Sequence, residues 1–97
     1  MPTLVCESVR YYSQSDETAF FNWLNSIECV SEIQGYGSSL ELTVHFTTIP
    51  EEDLRELIAI FSRYQVDLKQ LRVFETSENA SWFTQNNRAY WHKKLMA

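Results

Sequence analysis

The chain has 97 residues and a net charge of −5, and 44% of its residues are hydrophobic. One domain spanning residues 1–97 is expected for this length, and the apolar share excludes an intrinsically disordered chain. No apolar run approaches the roughly 20 residues that a membrane-spanning helix needs. Residues 1–6 lack the features of a secretory signal, so we expect a cytoplasmic protein without a membrane partner.

The charge is unevenly distributed along the chain. Residues 1–78 hold all 13 acidic side chains and five basic ones, whereas residues 79–97 hold three basic side chains and no acidic one. The acidic body therefore carries −8 and the tail +3. An acidic body attracts basic proteins and repels phosphates, so nucleic acid is not the expected partner. The same charge also keeps a protein soluble without any binding role.

The first strand is predicted at residues 4–12. Its apolar residues fall on both faces, which is typical of a strand in the middle of a sheet. A helix is predicted at residues 16–26, with Ser13 or Ser15 as its cap. Four residues at helical spacing form its apolar stripe: Phe20, Trp23, Leu24 and Ile27.

A β-hairpin is predicted next. Residues 29–34 form a polar strand that suits the edge of a sheet. Residues 35–39 contain two glycines and give the clearest turn signal of the chain. Residues 40–46 alternate between apolar and polar side chains, so the two strands are expected to pair antiparallel.

The strongest helical pattern lies at residues 48–64. Pro50 suits the first turn, and the acidic residues after it lie at the positive end of the helix dipole. One buried face is formed by Leu54, Leu57, Ile58 and Phe61. A fourth strand is predicted at residues 68–74, with Leu71 and Val73 as its firmest positions. A helical tail is predicted at residues 80–96, in one piece or in two that break near residues 86–87.

The order β-α-β-β-α-β with an added C-terminal helix is that of the ferredoxin-like split βαβ arrangement, which belongs to the α+β class. Right-handed crossovers give the antiparallel strand order 4-1-3-2, with both long helices on one face of the sheet. The aromatic and basic extension, residues 79–97, is expected to cover part of the other face or an edge. Cys6 and Cys29 fall on strands separated by the third, so no disulfide is expected between them.

The sequence holds no specific catalytic, metal-binding or phosphate-binding motif. We therefore expect no cofactor and no bound metal. His45 is expected on the outer face of the third strand near Glu41 and Thr43. There it can act as a general base, or it can be an exposed polar residue without a role.

Four acidic side chains crowd the start of the second helix: Glu51, Glu52, Asp53 and Glu56. Acidic residues at this position are ordinary partners of the helix dipole, but they also form a surface for a basic protein. Tyr36 lies between Gly35 and Gly37 in the hairpin turn. It either shields the end of the hairpin or serves as an interface anchor.

The tail concentrates aromatic and basic side chains, namely Trp82, Phe83, Tyr90 and Trp91 with Arg88, Lys93 and Lys94. Three interpretations are open: packing on the sheet, a protein interface, or stacking on single-stranded nucleic acid. The acidic body disfavours nucleic acid. Trp82, Arg88 and Trp91 are the candidate contact residues.

Three functions are compatible with these features. The first is a small non-catalytic binding protein, of inhibitor or immunity type, that neutralises a basic protein partner such as a nuclease toxin. The second is a homo-oligomeric ligand-binding or regulatory domain, for example a homodimer built by sheet or edge pairing. The third is a small enzyme that uses His45 with nearby carboxylates. The first is preferred because the body is acidic and no catalytic motif is present. This preference rests on general similarity to small inhibitor proteins and not on a sequence motif.

Overall fold

The computed structural model describes residues 2–45 and 48–97. Its elements in chain order are β1 Thr3–Glu7, α1 Gln14–Ser26, β2 Val30–Tyr36, β3 Ser39–Val44, α2 Glu51–Arg63, a 3₁₀-helix at Leu68–Phe74, α3 Ala80–Phe83 and α4 His92–Leu95. They form an α+β fold around a three-stranded antiparallel sheet of order β1-β3-β2. None of the helices in these two segments has the length and apolar character needed to cross a membrane.

One face of the sheet is buried and the other is open. Leu42 in β3 pairs with Leu4 of β1 and with Ile33 of β2, so these side chains share the face that meets the core. The opposite face has three cross-strand rows: Thr3, Thr43 and Glu32; Val5, Glu41 and Gln34; Glu7, Ser39 and Tyr36. At these nine positions the open face carries three glutamates and no basic side chain.

The predicted hairpin is confirmed. β2 and β3 are joined by Gly37 and Ser38, and Gly37 has φ +59°. This left-handed backbone is accessible to glycine without steric cost. Glycine at the first central position is the pattern of a type II′ turn, whose twist matches that of paired strands.

Both long helices are also confirmed. The Ser13 side chain accepts a hydrogen bond from the Asp16 N–H at 3.1 Å and caps α1, while α2 begins directly after Pro50. The predicted face of α2 is fully buried, and Ile60 joins it. In α1, Phe20 and Leu24 are fully buried, but Trp23 is only half-buried. The buried side chains form one continuous core from β1 to α4.

A 3₁₀-helix occupies Leu68–Phe74, where the sequence predicted a fourth strand, so the order 4-1-3-2 is not shown. The Asp67 side chain starts the helix by accepting a hydrogen bond from the Lys69 N–H at 3.0 Å. Leu68, Leu71 and Phe74 are buried, and their spacing of three matches the period of a 3₁₀-helix, not that of a strand. Val73, predicted as a firm strand position, is 59% exposed.

The side chain of Gln70 takes the place of strand pairing at the outer edge of β1. Its Oε1 accepts a hydrogen bond from the Val5 N–H and its Nε2 donates one to the Val5 carbonyl, both at 2.8 Å. Unpaired backbone groups at a sheet edge invite pairing with another chain. Gln70 therefore satisfies two such groups, and β1 is an outer strand of the described sheet.

β1 ends at Glu7, five residues before the predicted end of the strand. Ser8 has φ +51° and turns the chain away from the sheet. Tyr11, expected on the strand, instead packs its ring on Phe20 and Tyr64, with ring centroids 5.5 and 6.4 Å away.

The tail forms two short helices, which confirms the two-piece alternative. Phe83, Trp91 and Leu95 lie in the core, and α4 packs against the 3₁₀-helix. The tail thus lies beside the helices and leaves the polar face of the sheet open to solvent.

Both cysteines are buried free thiols, as expected from the strand order. Burial raises the pKa of Cys6 and of Cys29 to about 12, and the nearby Asp53 charge adds to the shift at Cys29.

Candidate protein-binding surface

The solvent side of α2 begins with an acidic group. Glu51, Glu52 and Glu56 are exposed on its first two turns, and residues four apart on a helix are surface neighbours. Asp53, predicted to join them, serves the fold. Its carboxylate accepts a hydrogen bond from the Cys29 backbone N–H at 3.0 Å, which ties the start of α2 to the segment before β2.

Trp23 of α1 lies beside this acidic group. Its Nε1 donates a hydrogen bond to Glu56 Oε1 at 2.9 Å, and its ring is half-buried. The bond orients the indole and the carboxylate relative to one another. Side chains that are already ordered lose less rotamer freedom when a partner binds.

Arg55 connects the acidic group to Trp82 of α3. Its guanidinium carbon is 4.1 Å from the centroid of the Trp82 ring, which is a cation–π contact. Its Nε also donates to Glu51 Oε2 at 2.7 Å. An exposed ion pair of this kind adds little stability, so its main effect is to hold the guanidinium over the ring.

These contacts place an indole on each flank of an acidic centre. Arg55 and Glu56 are consecutive in α2 and therefore point about 100° apart, so Trp82 and Trp23 flank different sides of the exposed stripe. We call this set the α2 surface: Trp23, Glu51, Glu52, Arg55, Glu56 and Trp82. Aromatic residues and arginine are the types most enriched at the centres of protein interfaces.

Two other candidates from the tail lie elsewhere. Trp91 is buried, and its Nε1 donates to the Phe83 carbonyl at 2.8 Å, so it serves the core and not the surface. Arg88 is exposed between α3 and α4. Its backbone N–H donates to Asn86 Oδ1 at 3.2 Å, which fixes the turn between the two helices.

Tyr36 is not brought together with the α2 surface. It is 55% exposed, and its hydroxyl donates to Gln34 Oε1 at 2.8 Å. It ends the strand that begins beside Cys29, where Asp53 anchors α2. The seven residues of that strand place Tyr36 about 20 Å from the end of β2 that adjoins Cys29.

His45 is exposed directly after β3, and its backbone N–H donates to the Cys29 carbonyl at 2.9 Å. Residue 46, the end of the predicted third strand, and residue 47 lie outside the described residues. In the described segments, no group of three or more His, Cys, Asp or Glu side chains is arranged to hold a metal ion.

Sequence reasoning missed Trp23 and Arg55 as surface residues. Trp23 was assigned to the buried stripe of α1, although tryptophan is seldom fully buried because of its size. Its contact with Glu56 joins two helices and has no local sequence signal.

Comparison of the chain with protein-family models, with curated proteins and with solved structures found no match. The function is therefore inferred from the surface itself.

Proposed function

We propose that this chain is a small non-catalytic binding protein whose α2 surface docks on a basic protein and neutralises it, in the manner of an inhibitor or of an immunity protein against a nuclease toxin. The observation that carries the proposal is the acidic start of α2 held between two half-buried indoles. A role in the helix dipole alone accounts for Glu51 and Glu52. It does not account for the indoles that Glu56 and Arg55 hold in place.

The charges around α2 support an oriented encounter. Glu28 adds a negative charge near the start of α2. It directly precedes Cys29, whose backbone N–H donates a hydrogen bond to Asp53 of α2. Arg63 closes the other end of α2, about 20 Å away for a helix of 13 residues. A basic partner is attracted to the first end and repelled by the second, which steers association.

A homodimer through the edge of β2 is the second candidate. In the described part of the chain β2 pairs with β3 alone, so its other edge is free for pairing. The strand contains no lysine or proline, but Glu32 and the irregular register between Val30 and Glu32 disfavour such pairing, which is why this candidate comes second. Two such edges would pair around a two-fold axis.

A parallel pull-down from the native host tests the proposal. Wild type, Glu52→Lys and Glu7→Lys are used as baits, and the bound proteins are identified by mass spectrometry. Glu7 is an exposed glutamate on the open sheet face, so Glu7→Lys makes the same change of charge away from α2. We expect a basic protein to be held by wild type and Glu7→Lys but lost from Glu52→Lys. Equal retention by all three baits, or capture of nothing except a second copy of the chain, would contradict the proposal.

A further inference from the structure

A polar cleft of about 450 Å³ lies at the C-terminal end of α2. Clefts of this size hold one small molecule. It is separate from the α2 surface, which occupies the first two turns of the same helix.

Two reversals of the chain build the walls of the cleft. Ser8 follows β1 with φ +51° and Gln65 follows α2 with φ +59°; both line the cleft. In the described part of the chain they are the two non-glycine residues with a left-handed backbone. At the second reversal the Val66 N–H donates to the Phe61 carbonyl at 2.8 Å, the bond that closes a helix in a Schellman motif.

Asp16 forms a further part of the wall, and its charge is already engaged. The Tyr12 N–H donates to Oδ2 at 2.9 Å and the Tyr64 hydroxyl donates to Oδ1 at 2.8 Å. With both oxygens bonded to the fold, Asp16 holds the walls together. Its single negative charge leaves the cleft with a net positive charge from two arginines.

Arg10 and Arg63 reach the cleft from two different segments. Neither guanidinium lies within ion-pair distance of a carboxylate among the residues that the structure describes. The chain has 13 acidic against eight basic side chains, so carboxylates are plentiful elsewhere on its surface. Two arginines without such a partner in one cleft are therefore suited to an external anion, because the guanidinium fork binds phosphate and carboxylate groups in a bidentate manner.

We propose that this cleft binds a small anion with at least two negative charges, carried by phosphate or carboxylate groups, through Arg10 and Arg63. The Ser8 hydroxyl and the Gln65 amide provide additional hydrogen-bond donors at the wall. Tyr12, which is 88% exposed, offers an aromatic ring at the rim for any flat group attached to the anion.

Isothermal titration calorimetry at low ionic strength tests this site with inorganic phosphate, pyrophosphate and succinate as probes. We expect saturable binding of one anion per chain. Arg10→Gln and Arg63→Gln should each weaken binding about tenfold, the effect of one charged hydrogen-bonding partner. Arg88→Gln, which removes an exposed arginine outside the cleft, is the matched control and should bind as wild type does. If the phosphate probes bind and succinate does not, the cleft takes phosphate groups. If succinate alone binds, the cleft takes carboxylate groups.

The folding of the variants is checked by urea unfolding, which should not change because both arginines are exposed. Backbone amide shifts in a nuclear magnetic resonance titration give a second readout, and the largest are expected at Ser8 and Gln65. The proposal is overturned by the absence of saturable binding with all three probes. Binding that Arg10→Gln and Arg63→Gln leave intact overturns it equally.

Discussion

At the scale of single residues, Asp16 links three segments of the chain. It lies in the first turn of α1, and its carboxylate accepts hydrogen bonds from the backbone N–H of Tyr12 and from the hydroxyl of Tyr64. The Tyr12 bond, with the Tyr64 bond second, holds the pKa of Asp16 below its ordinary value of 3.8. A lowered carboxyl pKa stabilises the fold above the ordinary pKa, and the contribution is lost as the pH falls through the folded value.

Asp16→Asn should therefore destabilise the protein more at pH 7 than at pH 3. Wild type loses its charged carboxylate over the acidic range, while the amide of the variant does not titrate. Urea unfolding of both proteins at the two pH values measures the gap between their free energies of unfolding. Tyr64→Phe removes one of the two bonds. At pH 7 its free energy of unfolding should therefore fall less below that of wild type than the free energy of Asp16→Asn does. A gap of equal size at both pH values would show that the charge of Asp16 has no part in stability.

Phe61 tests the assignment of the buried face of α2. Its side chain is fully buried, so Phe61→Ala should cost about 3–5 kcal/mol through lost burial and the cavity left behind. Val73→Ala, at an exposed position, should change the free energy of unfolding by less than about 0.5 kcal/mol. Denaturant unfolding measures both, and a loss below about 1 kcal/mol for Phe61→Ala would contradict the packing described here.

At the scale of elements, Gln70 holds the 3₁₀-helix to the edge of β1. Gln70→Ala removes two hydrogen bonds to Val5, and each such bond contributes about 1 kcal/mol net. We expect a loss of about 1–3 kcal/mol and faster hydrogen exchange at the Val5 amide. Lys69→Ala, next to it and exposed, is the control that should leave that amide protected. Unchanged exchange in Gln70→Ala would mean that other contacts hold the helix in place.

The elements that the sequence predicted well have local signals. The periodic apolar face and acidic first turn predict α2, a Ser cap predicts the start of α1, and Gly37 predicts the turn between β2 and β3. The sequence predicts a strand at residues 68–74 because Leu71 and Val73 suit an alternating pattern. The Asp67 cap and the spacing of three in Leu68, Leu71 and Phe74 are local signals of the 3₁₀-helix. Its docking on β1 depends instead on bonds between Gln70 and Val5, which are 65 residues apart, so no window of sequence contains it.

At the scale of the whole molecule, the candidate surface was found in part. Glu51, Glu52 and Glu56 could be predicted because they are neighbours in sequence, and Trp82 because it belongs to an aromatic cluster. Whether an aromatic residue of the tail faces the core or the solvent depends on the packing of distant elements. For that reason the sequence leaves both packing and an interface open for Trp91, which the structure buries. The polar cleft at the C-terminal end of α2 is lined by residues from segments far apart in the chain, so no sequence pattern predicts it.

The proposed function requires that the acidic side of α2 steers a basic protein onto this surface. Electrostatic steering acts over the Debye length, which is about 10 Å at 0.1 M salt and about 3 Å at 1 M. Steering raises the rate of association.

A packed aromatic anchor acts differently, because it slows dissociation. Trp82→Ala should therefore raise the off-rate and change the on-rate little.

The most direct measurement is surface plasmon resonance with the partner from the pull-down, at 0.1 M and 1 M salt. Reversal of Glu51, Glu52 and Glu56 to lysine should reduce the on-rate at low salt by about tenfold or more. High salt should do the same to wild type, while Glu7→Lys should have a much smaller effect. Circular dichroism checks that the variants remain folded. The proposal is contradicted if the on-rate of wild type is the same at both salt concentrations and does not change on charge reversal. The acidic surface would then have a role in solubility alone.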